Sequence, residues 1–150
     1  FRIAYEAYIM DSEGEVTGRI DLKFSQGFDE NVYFSLECKR LRVRPHSRFD
    51  TLANKYVTQG MFRYFTGQYA KGLNKGGMLA YIMDGEVEAA IYDVTKSVEK
   101  NRIPLYMGSD DTLCISRLSS QQVRETYHNY GPDSRFMIYH IFLPAQLTKN

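Results

Sequence analysis

Hydrophobic and polar residues alternate most clearly between Val16 and Phe24, where Ile20, Leu22 and Phe24 interleave with Arg19, Asp21 and Lys23. A period of two predicts a β-strand with one buried face. A strand over Tyr5–Met10 precedes it and ends in the turn-prone Asp11-Ser12-Glu13-Gly14. After a loop over Ser25–Asn31, a third strand is predicted from Val32 to Leu41. Its Val32, Phe34, Leu36 and Cys38 make a buried face, and Tyr33, Ser35, Glu37 and Lys39 make a polar one.

Beyond Pro45 the period lengthens. Ser47 with Asp50 resembles a helix cap, and Leu52, Ala53, Tyr56, Val57, Met61, Tyr64 and Phe65 form an apolar stripe over about four turns. Gly60 and Gly67 interrupt the stripe; Gly72 and Gly76-Gly77 close it. The apolar run Met78–Met83 has the length of a buried strand. A second helix follows with Val87, Ala90, Ile91, Val94 and Val98 at helical spacing, ended by Ile103-Pro104. The rest predicts a short strand near Leu113–Arg117, a polar stretch over Ser119–Tyr130 and a last strand over Phe136–Leu143. Three meandering strands, a helix, a strand, a helix and closing strands predict a mixed β-sheet in the α/β class, flanked by helices.

Composition narrows this to one globular domain spanning 1–150, since 43% of the 150 residues are hydrophobic and 25% charged. No apolar run has the length of a membrane-crossing helix. Cys38 and Cys114 are too few for a disulfide framework and have no zinc spacing, which predicts reduced thiols and a cytoplasmic setting. The chain opens on Phe1 and not on Met, which predicts residues upstream. A net charge of +1 means that any nucleic-acid binding must come from local clustering.

One constellation carries chemistry. Glu37 and Lys39 stand two apart on a strand and leave the same face. If the second and third strands form a hairpin, Asp21 lies across from the Ser35–Glu37 region, with Cβ atoms roughly 4.5–8 Å apart. Two carboxylates that close repel unless a cation lies between them, and hard oxygen donors with open positions suit Mg²⁺ or Mn²⁺. The Lys39 ammonium could orient or deprotonate an attacking water or stabilise charge growing on a phosphorane. With a metal, it predicts phosphodiester hydrolysis.

Asp21, then Glu37-Cys38-Lys39 one hairpin later, then a helix, resembles the PD-(D/E)XK nuclease superfamily with its restriction-endonuclease-like fold. The resemblance covers about Tyr5 to Val98. It implies that Asp21 and Glu37 hold the metal, that Lys39 assists catalysis, and that Gln59 is the polar helix residue often found facing the site. Ile20 stands where many members have Pro. The usual opening helix with its extra acid is not visible; Glu6 is the candidate for that acid, and its ordinary reading is a solvated strand residue. The implied partner is DNA, cut in restriction, phage defence or repair, by a homodimer or a larger assembly.

A basic run, Lys39-Arg40-Leu41-Arg42-Val43-Arg44 with His46 and Arg48 beyond, supplies the local clustering for a DNA backbone. Lys55, Gln59 and Arg63 line one helix flank, with Arg63 the strongest phosphate contact. Tyr56, Tyr64 and Tyr69 read as half-buried packing, and His140 as a strand residue. The competing expectation is a nuclease-like scaffold that does not cut and serves as an interaction or DNA-binding module.

Overall fold

A computed structural model describes residues 2–10, 13–25, 32–45, 48–66, 69–70, 72–118, 122–131 and 134–145. Seven strands form one mixed sheet in the order β1-β2-β3-β4-β7-β6-β5. The strands are β1 (Arg2–Met10), β2 (Val16–Ser25), β3 (Tyr33–Leu41), β4 (Lys75–Ile82), β5 (Cys114–Ile115), β6 (Val123–Gly131) and β7 (Ser134–Pro144). β1, β2 and β3 make the predicted antiparallel meander. β3 then pairs parallel with β4, and β4 parallel with β7. β7 and β6, and β6 and β5, are antiparallel.

The parallel β3–β4 step needs a crossover, supplied by α1 (Ala53–Thr58) and a 3₁₀ turn (Met61–Tyr64). This corrects the single long helix expected from Phe49 to Phe65. Phe49 stays outside it because Val43 and Asp50 form an isolated antiparallel bridge. Leu52, at the helix start, is left-handed with φ 55°, and Asp50 Oδ1 accepts from its amide at 2.9 Å. Ser47, the expected cap, lies outside the described residues, as do His46, Gly67 and residues 26–31 of the expected loop. At the other end Gly60 passes so close to its neighbours that a Cβ there would stand 2.4 Å from both Met78 Cε and the Tyr56 carbonyl. The apolar stripe is therefore real, but two short helical pieces carry it.

The second helix, α2 (Val87–Lys100), matches its periodicity. It buries Ala90, Ile91, Val94 and Val98. α1 and α2 share one core with Leu41, Met78, Ala80, Ile82, Phe136, Ile138 and Phe142. No helix among the described residues is long and apolar enough to cross a membrane.

Two further expectations are overturned. On β3 the expected polar face is covered too: Ser35 and Glu37 are fully buried, while on the apolar face only Leu36 is buried, Phe34 and Cys38 are half-buried and Val32 is exposed. Aromatic side chains after α1 cover the polar face; the Tyr64 hydroxyl donates to the Gly77 carbonyl at 2.7 Å and accepts from the Gly77 amide at 3.2 Å. Second, most of the stretch read as polar is strand β6, with Arg124, Glu125, Thr126 and His128 buried. Inward polar residues erase the alternation that marks a strand.

Those polar residues find partners. Thr126 Oγ1 lies 2.7 Å from His128 Nε2 and 2.8 Å from His140 Nε2. His128 Nδ1 meets the Leu105 carbonyl at 2.7 Å, and the Tyr56 hydroxyl meets His140 Nδ1 at 2.9 Å. With both imidazoles neutral only one proton order satisfies every atom. His128 Nδ1 donates to Leu105, Thr126 donates to His128 Nε2, His140 Nε2 donates to Thr126, and Tyr56 donates to His140 Nδ1. Burial pushes the His128 pKa down to about 4 and that of His140, with His128 beside it, to about 3, which keeps the chain neutral near pH 7.

Candidate active site

The β2–β3 ladder runs from Ser25↔Tyr33 to Leu22↔Leu36 and stops there. Immediately beyond it the Cys38 amide donates to Asp21 Oδ2 at 2.7 Å, so a side-chain carboxylate stands where the strands part. That parting opens a cleft of about 300 Å³ lined by Arg19, Asp21, Glu37, Cys38, Lys39 and Arg63. The three residues expected to carry chemistry therefore share one cavity, on the side of the sheet where α1 packs.

Glu37 is fully buried and each of its oxygens is engaged. Oε1 accepts from Lys39 Nζ. Oε2 accepts from Arg63 at 3.1 Å and from the Tyr69 hydroxyl at 2.7 Å. Tyr69 also accepts from Arg63 at 2.6 Å and hydrogen-bonds the Arg19 carbonyl. Asp21 and Glu37 thus balance Lys39 and Arg63 to zero formal charge, while Arg19, the third cation of the cleft, pairs with Glu6. Burial works against the Arg63 charge, but the Tyr69 hydrogen bond and the negative charges of Glu37 and Asp21 raise its pKa. Burial, then the bond to Glu37, pushes the Tyr69 phenol up. Burial, then Asp21 and Glu37, lifts the Cys38 thiol to about 11 against the opposing charge of Lys39. At neutral pH Cys38 is a thiol and not a nucleophile.

The other predicted residues separate. Gln59 caps the C-terminus of α1 and lies outside the acid cleft. It lines an adjoining groove of about 510 Å³ with Lys39, Arg40, Lys55 and Tyr81, and the two cavities share Cys38 and Lys39. Arg42 is held by Asp84 at 2.9 Å and Asp93 at 2.6 Å. Arg44 is exposed, near the Phe49 ring. Glu6 pairs with Arg19 at 3.5 Å, is largely exposed and does not line the cleft. Arg63 enters the cleft itself. Tyr69 is the residue sequence reasoning missed: it is 1% exposed, and its hydroxyl serves the site. It lies beyond the 3₁₀ turn that ends at Tyr64 and was expected only as half-buried packing, because no periodicity marks its hydroxyl as a partner of Glu37.

Asp21 and Glu37 offer the oxygen donors a hard cation takes, with space beside them for water and phosphate. Among the described residues no group of three or more His, Cys, Asp or Glu side chains is gathered for a metal. That donor set fits Mg²⁺, which keeps several waters, better than an ion needing a full protein cage. In comparison with known proteins, no family model, no curated protein and no solved structure matches the chain.

Proposed function

We propose that this chain is a Mg²⁺- or Mn²⁺-dependent nuclease of the PD-(D/E)XK type, hydrolysing phosphodiester bonds in DNA. The observation that carries the reading is the convergence of Asp21, Glu37 and Lys39 on one cleft. The antiparallel β1-β2-β3 meander followed by α1 and the parallel strand β4 supports a restriction-endonuclease-like arrangement. Asp21 and Glu37 would hold the divalent ion, which would supply a water of lowered pKa and a Lewis acid for the phosphate. Lys39, an ammonium on the same β-face as Glu37, orients the attacking water and offsets negative charge growing on the phosphate. Arg63 binds a non-bridging phosphate oxygen once Glu37 has released it, and so neutralises charge that grows in the transition state.

The test is cleavage of plasmid and linear DNA with Mg²⁺, and its arrest by EDTA. Lys39→Ala should abolish product; it also takes a charged partner from buried Glu37, so the unfolding midpoint should fall while the transition stays cooperative. Folded protein that binds DNA yet cuts it with no divalent ion contradicts the reading. A second reading, a non-cutting interaction module, is favoured by one observation: Glu37 is already fully engaged by Lys39, Arg63 and Tyr69. Calorimetry separates the two, since a module has no need to bind the ion.

A further inference from the structure

The groove beside the acid cleft has a composition of its own. Arg40 and Lys55 bring two positive charges to its wall beside Lys39, whose ammonium pairs with Glu37, and among the described residues no acidic side chain lines it. It runs along the end of β3, where the β2–β3 ladder has stopped. Arg40 and Tyr81 are direct neighbours across the parallel β3–β4 pair and leave the face opposite Lys39 and α1, so the groove wraps the part of β3 that β2 leaves unpaired. Tyr81 is an exposed aromatic, at 39%, in the central strand β4, whose residues from Gly76 to Ala80 are buried. Gln59, also exposed, adds an amide with both donors and an acceptor.

Cations, an aromatic ring and a two-way amide are the groups that take a phosphate, a base face and a base edge. Because the two cavities share Lys39, a strand whose scissile phosphate enters the acid cleft has its next nucleotide at the groove. A base paired in a duplex is stacked on both faces and cannot offer one to Tyr81; an unpaired base can.

We infer that the groove lined by Arg40, Lys55, Gln59 and Tyr81 holds an unpaired nucleotide adjoining the scissile phosphate, so that the substrate is single-stranded or locally melted at the cut. Arg40 and Lys55 hold the phosphate, Tyr81 stacks on the base, and Gln59 meets its edge. This rests on the nuclease reading for the position of the scissile phosphate, and its test is made without catalysis.

The experiment is fluorescence anisotropy of the full chain in EDTA with a labelled single-stranded oligonucleotide, and with the same strand annealed to its complement. The expected result is tighter binding of the single strand. Tyr81→Leu, which keeps apolar bulk in the strand, should weaken single-strand binding about tenfold, while Tyr81→Phe retains it and duplex binding changes in neither. Lys55→Ala should weaken single-strand binding and flatten its salt dependence. Equal affinity for both forms, or a Tyr81→Leu variant that binds like the parent, overturns the inference. Magnesium-dependent cutting alongside either result would leave the nuclease reading standing. Intact single-strand binding that depends on Tyr81, with no cutting, would sink the nuclease reading alone.

Discussion

Glu37 illustrates how a buried charge is tolerated: its oxygens meet an ammonium, a guanidinium and a phenol. Adding a divalent ion to a balanced set leaves two excess positive charges, so one cation must move away. Arg63 has the freer side chain, 36% exposed against 22% for Lys39. Arg63→Gln should therefore strengthen Mn²⁺ binding measured by calorimetry without DNA, by about tenfold for the loss of a charged hydrogen bond, while slowing cleavage. Tyr69→Phe removes the phenol oxygen from the same carboxylate and should lower stability by about 1–3 kcal/mol in denaturant unfolding. Ser35 gives the opposite sign. Its Oγ is buried without a partner, so Ser35→Ala should raise the melting temperature, by about 1 kcal/mol in stability. Arg42 adopts φ 55°, a strained conformation for a side-chain-bearing residue. Asp84 and Asp93 hold it there, which ties the end of β3 to α2.

At the scale of elements, the strands with clean alternation and the helix with unbroken spacing were legible: β2, β3 and α2 stand where the pattern puts them. The pattern failed where a short-range conformation or a tertiary contact intervened. Leu52 and Gly60 divide one apolar stripe into two helical pieces, and stripe periodicity carries no record of a positive φ or of Met78 pressing on a glycine. Gly60→Ala should force the Tyr56 carbonyl or Met78 to shift and cost about 1–3 kcal/mol, read as a lower denaturation midpoint. Strand β6 was missed because its inward side chains are polar, satisfied by one another, by His140 of β7 and by the Leu105 carbonyl. That same chain sets a pH dependence. Unfolded histidines take protons near pH 6.5, but burial holds His128 neutral to about pH 4 and His140 to about pH 3. The unfolded state therefore binds more protons in that window, and stability falls as pH drops from 6.5 towards 4. The loss from His128 alone is on the order of 3 kcal/mol. Denaturant titrations across that range should show it, with Thr126→Val, which severs the link between the rings, less stable at neutral pH as well.

At the scale of the molecule, the seven strands and two helices of the described residues place a cleft where the β2–β3 ladder ends, with a basic groove next to it. Asp21, Glu37 and Lys39 were legible because the strand period and a hairpin connection suffice to bring them together. Arg63 and Tyr69 were not legible as partners of Glu37, because the turn after α1 sets their approach and local spacing cannot encode it. The most direct measurement is a crystal structure of the chain soaked in Mn²⁺, with anomalous scattering recorded. The account predicts a peak bridging the Asp21 and Glu37 carboxylates, with the Arg63 guanidinium withdrawn from Glu37. No peak in the cleft, with Lys39, Arg63 and Tyr69 still closed on Glu37 at saturating Mn²⁺, would contradict it.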